Sequence, residues 1–181
     1  MTPSAASISM TLLEDRVART VCGVSTPHPN VDRVVAAAAG FGVTLATSTF
    51  PDGTRTANDA ARAVGCDVGQ IVKSLVFLVD DEPVVALVSG ANQLAEDRLA
   101  ESVGGGRVGR ADADAVRAAT GYAIGGVPPF AHATELRVVV DEDLLGYDVV
   151  WAAAGTPRDV FPIAPADLLR ITAGTAATLR R

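Results

Sequence analysis

Lys73 is the only lysine in a chain of 181 residues whose 15 basic side chains are otherwise all arginine. It occupies the third position of Ile71-Val72-Lys73-Ser74-Leu75-Val76-Phe77-Leu78-Val79, a run that carries apolar residues on both faces of a strand. An ammonium there loses hydration unless a partner or a cavity compensates it. Lysine offers a compact point charge where arginine offers a planar fork, so keeping lysine against so strong an arginine preference points to a site that needs the smaller cation. Desolvated and neutral, the amine is a Schiff-base nucleophile. The competing reading is structural: the stem lies on the core and the amine reaches water.

Gly125-Gly126-Val127-Pro128-Pro129-Phe130 is the second candidate. Its glycines allow close backbone approach, and its prolines stiffen the chain and withhold two N–H donors. Such a loop presents fixed carbonyls and amides to a small ligand, or simply makes a tight connection. Other candidates are weaker. The glycines at 104–106 lack the setting of a phosphate loop, and no GxxxxGK[ST] or GxGxxG pattern occurs. His28 reads as an isolated loop residue and His132 as an isolated surface residue. Ser74, Ser89 and Ser102 have no nucleophile-elbow context. The pairs Asp80-Asp81 and Asp141-Asp143 fall in turns, where solvated carboxylates are expected.

The elements that must position these residues follow from periodicity and caps. Residues 1–27 read as an N-terminal extension, with weak helical character from Met10 to Val21. The domain then runs from 28 to 181. Val31, Val34, Val35 and Ala38 recur at helical spacing before Gly40 and Gly42 stop the helix. A strand is expected at Val43–Phe50, with a turn at Pro51-Asp52-Gly53. Thr56 caps a helix through Ala63 with Asp59 at its third position, and Gly65 ends it. The Lys73 strand turns at Asp80–Pro83 and returns over Val84–Val88 as a hairpin. Helices are expected at Leu94–Val103, at Ala113–Thr120 capped by Asp112, and from Pro165 to Ile171. Further strands are expected at Leu136–Val140, Asp148–Ala152 and Val160–Ile163. The interleaving predicts an α+β fold: a mixed, strongly curved sheet or open barrel surrounded by helices.

Composition narrows the function classes. With 49% hydrophobic and 20% charged residues the chain has the apolar surface for a core, and with 4% aromatics that core is mostly Ala, Val and Leu. A net charge of −6 argues against gripping long nucleic acid by phosphate neutralisation, so no DNA partner is expected, although one nucleotide end still fits a small pocket. Cys22 and Cys66 read as reduced thiols of a cytoplasmic protein, and no Cys/His cluster suggests a metal. The opening segment lacks a secretory signal and no apolar run reaches membrane-spanning length, so no membrane partner is expected. Nothing calls for a cofactor.

QIVKSLVFLV (70–79), TGYAIGGVPPF (120–130), LRVVVDEDLL (136–145) and VVWAAAG (149–155) resemble the YbaK/prolyl-tRNA editing domain family of aminoacyl-tRNA deacylases, in order and spacing from about His28 to Gly174. The resemblance implies a trans-acting hydrolase that cleaves the ester of mischarged tRNA by water attack, with no protein nucleophile. It carries Lys73 over as the catalytic residue, an electrostatic anchor. Gly125, Gly126, Pro128 and Pro129 carry over as the substrate-facing loop, Ser74 as a hydrogen-bonding neighbour, and Gly155 as part of a second loop. The implied partners are the aminoacyl-tRNA acceptor end and, beside it, an aminoacyl-tRNA synthetase. Two departures stand out: Ala152-Ala153-Ala154 replaces a segment in which some relatives carry serine, and Pro128 replaces a serine common in one subgroup. A different class remains open, a non-catalytic module that binds an aminoacyl-tRNA end or a synthetase.

Overall fold

The computed structural model describes residues 28–50 and 56–181. The expected extension, Cys22 and the turn at 51–53 lie outside them. Eight strands and five α-helices are described. Helix α1 is Pro29–Gly40, α2 Ala57–Val64, α3 Glu96–Ser102, α4 Ala113–Thr120 and α5 Pro165–Thr172. The strands are β1 Ser48–Thr49, β2 Val72–Val79, β3 Glu82–Ser89, β4 Val108–Arg110, β5 Arg137–Asp141, β6 Val150–Ala153, β7 Asp159–Ile163 and β8 Thr175–Ala177.

The chain is α+β, but the expected single curved sheet or open barrel is a correction to make. The strands form two sheets, in orders β1-β7-β6 and β4-β2-β3-β5-β8, and one isolated bridge from Ile71 to Trp151 joins them. The larger sheet is mixed: β2 pairs antiparallel with β3 and β4, whereas β3–β5 and β5–β8 are parallel. The β2–β3 hairpin closes on Asp80 and Asp81, both with positive φ (49° and 71°), as a two-residue turn whose twist suits the strands requires.

Strand alternation splits the core. On β3, Val85 and Leu87 face one cluster with Val138 and Val140 of β5, while Val84, Ala86 and Val88 face a second cluster with Val139. The first cluster is covered by α1, α4, α5 and the small sheet, through Val34, Val116, Leu168, Phe161 and Ile163. The second is covered by α3 and the chain's last residues, through Leu99 and Leu179. Each fully buried aliphatic side chain here contributes about 1.5–3 kcal/mol.

Local signals place several helices well. Thr56 and Asp59 form a reciprocal capping box on α2, Asp112 accepts from Ala115 N on α4 (2.8 Å), and Pro165 opens α5. Three expectations change. The strand expected at Val43–Phe50 shrinks to Ser48–Thr49, the residues of that segment that pair in register with a strand, opposite Val160 and Asp159 of β7. The helix expected from Leu94 starts at Glu96, since Ala95 N donates to Leu179 O (2.8 Å) and Leu94 bridges Arg180. Finally, β2 is not uniformly buried: Val72, Phe77 and Val79 are, but Lys73 through Val76 and Leu78 are half-buried.

Candidate functional site

That half-burial has a topological cause. Along one edge β2 is paired with β3 throughout its length. Along the other, the small sheet touches it at the Ile71–Trp151 bridge and β4 pairs only with Phe77–Val79. Among the described residues no strand pairs with the outer edge of Lys73–Val76, so both sequence candidates on β2 lie at an open slot between two strands.

Alternation sends these two neighbours to opposite faces. Lys73 shares its parity with Leu75 and Phe77 of the second cluster, and Ser74 with Val72 and Val76 of the first. The Lys73 ammonium donates to Asn92 O. Burial pushes its pKa below the ordinary lysine value, and the Asp141 carboxylate acts in the opposite direction. Ser74 Oγ is enclosed and has no hydrogen-bond partner among the described residues. A buried hydroxyl left so is a group waiting for an acceptor or donor.

The Gly/Pro loop packs over Ser74's side of the sheet: Val127 and Phe130 are buried in the same cluster as Val72 and Val76. Phe130 lies against Phe161 with centroids 5.7 Å apart. The loop is tied from several sides. Tyr122 Oη donates to Ala131 O (3.0 Å) and accepts from Arg33 Nε (2.7 Å), and the Arg33 guanidinium also lies 4.0 Å from the Tyr122 ring centroid. His132 Nε2 is 2.8 Å from Pro128 O. Burial is the main reason this imidazole's pKa falls below the ordinary value; the Pro128 contact opposes that and the nearby Arg33 charge adds to it. The isolated surface histidine expected from sequence is therefore a loop tie, half-buried beneath Pro128. Pro128 and Pro129 are themselves buried, whereas Gly125 is exposed.

Gly155 belongs to the β6–β7 loop, which meets the Gly/Pro loop directly. An ideal Cβ on Gly126 would lie within 2.8–3.1 Å of three Thr156 backbone atoms, and Pro157 flanks Gly125 at 3.9 Å. Gly155 has φ +96° and packs on α1: a Cβ there would meet Asn30 at 2.9 Å. Asn30 Nδ2 donates to Gly155 O (3.1 Å), and His28 Nδ1 accepts from Asn30 N (3.1 Å), so His28 is a helix cap. Asp159, 8% exposed, accepts from the Thr49 and Thr156 hydroxyls and fixes this second loop.

The structure thus brings Gly125, Gly126 and Gly155 together, with Pro128 and Pro129 behind them and Ser74 on the sheet face below. Lys73 sits on the same strand as Ser74, but its hydrogen bond goes to Asn92 rather than to residues 125–130. Several positioning residues were not singled out from sequence: Asn30, Asn92, Thr156 and Asp159. Asp141 was expected to be solvated and is not. It is 0% exposed and accepts from Ser89 N (3.2 Å) and Asn92 Nδ2 (2.8 Å). Its position was detectable, since it continues the alternation of Val139 on β5. Among the described residues no group of His, Cys, Asp and Glu is placed to hold a metal, and no helix is long and apolar enough to cross a membrane.

Comparison with known proteins follows the same lines. A family model described as an aminoacyl-tRNA editing domain matches residues 51–171. A solved structure described as a candidate trans-editing enzyme for prolyl tRNA synthetase is 46% identical, with a TM-score of 0.81, over 86% of this chain and 99% of that one. A candidate Cys-tRNA(Pro)/Cys-tRNA(Cys) deacylase of Enterococcus faecalis is 28% identical over 68% of this chain and 76% of its own length. The proline–tRNA ligase of Maridesulfovibrio salexigens is 33% identical over 59% of this chain, which spans only 18% of the ligase.

Proposed function

The chain belongs to the aminoacyl-tRNA editing domain family, and on that premise we propose that it is a trans-acting deacylase that hydrolyses the ester of mischarged tRNA, with residues 28–181 as the editing domain. Its partner is the aminoacyl-tRNA acceptor end, with a prolyl-tRNA synthetase as the enzyme whose errors it corrects, in the cytoplasm. One observation carries this reading: the chain covers 99% of a solved chain described as a candidate trans-editing enzyme, at 46% identity.

The reaction needs little from the protein. A water adds to the ester carbonyl, the bond to the ribose oxygen breaks, and the amino acid leaves as its carboxylate while the ribose regains its hydroxyl. Lys73 supplies a fixed positive charge. Because burial removes part of its water, that charge acts through a lower effective dielectric than a surface lysine's would. Among the described residues only one of its three N–H donors is engaged, by Asn92 O, which leaves donors for a phosphate or ester oxygen. Ser74 Oγ, without a partner among the described residues, is enclosed on the opposite face of β2 and meets substrate only when the loop over it moves aside. Gly125, Gly126, Pro128, Pro129 and Gly155 fix the two joined loops on Ser74's side of the sheet, with Gly125 exposed to meet the aminoacyl group, so that positioning carries much of the rate.

Deacylation of a panel of mischarged tRNAs, Cys-tRNA(Pro) among them, by wild type and Lys73→Ala tests this. The expected result is turnover of at least one member by wild type and a loss of about 100-fold or more in the variant. Equal hydrolysis by both removes Lys73 from the mechanism. Binding without turnover across the whole panel replaces the enzyme by a binding module.

A further inference from the structure

The Asp141 carboxylate lies close enough to act on the Lys73 ammonium, yet the two form no direct ion pair among the described residues. Asn92 stands between them. Its carbonyl accepts from Lys73 Nζ, and its side-chain Nδ2 donates to Asp141 Oδ2 and to Asp143 Oδ2, both at 2.8 Å. Both amide hydrogens are therefore committed to carboxylates.

The rest of the surroundings holds Asn92 still. Its N–H donates to Ser89 O (3.0 Å), which closes a tight turn after β3. Ser89 N donates in turn to Asp141 Oδ2 (3.2 Å), and Ser89 Oγ donates to Gly69 O (2.8 Å). Gly90 N donates to Ile71 O (2.7 Å), next to the Lys73 strand's entry, and no side chain fits at Gly90, where a Cβ would lie 2.2 Å from Val68 O. On the outer side, Arg180 pairs with Asp143. A buried carboxylate normally recruits the nearest cation. Here an amide takes that place, and the cation keeps donors unspent.

We propose that Asn92 is the positioning residue for Lys73: its main-chain carbonyl holds the ammonium on station, and its side chain, pinned between Asp141 and Asp143, fixes that carbonyl and keeps Lys73 from collapsing onto the buried carboxylate. This rests on the role given to Lys73 above, so the test separates the two. Because the chain has a single lysine, 15N-lysine labelling of the full-length protein gives one Nζ resonance, and that resonance reports Lys73 whether or not the protein is an enzyme.

In folded Asn92→Ala the Nζ resonance and its titration midpoint should move, the midpoint upward as the ammonium pairs with Asp141. Deacylation kcat should fall about 10- to 100-fold with KM changed much less, as misplacement of a catalytic group predicts. A folded variant with the wild-type resonance overturns the proposal, whatever its activity. A moved resonance with unchanged deacylation in both Asn92→Ala and Lys73→Ala upholds the positioning and overturns the catalytic reading instead. Should Asn92→Ala fail to fold, Asp143→Ala removes one of the two acceptors at the solvent-facing side. It should shift the same resonance, and no shift overturns the proposal.

Discussion

Gly126 and Thr156 meet backbone to backbone: a Cβ on Gly126 would lie 2.8 Å from Thr156 Cα and 2.9 Å from its carbonyl carbon. Neither contact can be relieved by rotating a side chain. The Gly/Pro loop and the β6–β7 loop therefore keep their spacing only while position 126 carries no side chain.

Gly126→Ala is expected to push the two loops apart. The cost in stability is about 1–3 kcal/mol, as for overpacking, and the loss in deacylation is larger than that destabilisation explains, about 10- to 100-fold. Single-turnover hydrolysis beside a urea melt checks both. Wild-type rates in the folded variant would remove this contact from the site.

Lys73 gives a pH dependence of two opposite signs. Its folded pKa lies below the ordinary 10.5, with burial as the main cause. Between those values the unfolded chain holds a proton that the folded chain has released, so stability rises with pH across that window and is lower beneath it. Activity that needs the ammonium does the reverse and declines, about tenfold per pH unit once past the folded value. Enzyme-dependent hydrolysis, corrected for spontaneous ester loss, should show this alkaline limb below pH 10.5. The residual activity of Lys73→Ala should lack it.

His132 works on the acid side. Its pKa is lowered from 6.5, chiefly by burial. As pH falls through the ordinary value the unfolded chain takes up a proton and the folded chain does not, so stability is lost between that value and the lower folded one. His132→Ala should lose about 1 kcal/mol at neutral pH from the missing bond to Pro128 O, and should lose less than wild type on further acidification. Urea midpoints of both proteins across that range decide it. Parallel curves would show that this imidazole does not couple to folding.

Legibility from sequence follows the range of the interaction. Thr56 with Asp59, Asp112 and Pro165 announce their helices because a cap needs only residues a few positions apart. Lys73 stands out by its rarity and setting, and the loop at 125–130 by composition. What stayed hidden is decided by partners far along the chain. The shortness of β1 depends on Asp159 and Val160, and the division into two sheets on a single bridge between Ile71 and Trp151. Asn92 looks like an ordinary turn residue because its partner Asp141 lies 49 residues away. His132 misleads because its flanking alanines, Ala131 and Ala133, give no sign of the Pro128 carbonyl that it meets.

The open slot along β2 has one more consequence. Lys73 to Val76 are held at fixed pitch by β3 on one side and, among the described residues, face no strand on the other, at the line where the small sheet abuts the large one. A molecule lodged there would span both halves of the protein and act as a stitch between them. Occupancy and cohesion are then one thermodynamic event, and the loaded protein is harder to unfold than the empty one by an amount set by ligand concentration over its dissociation constant.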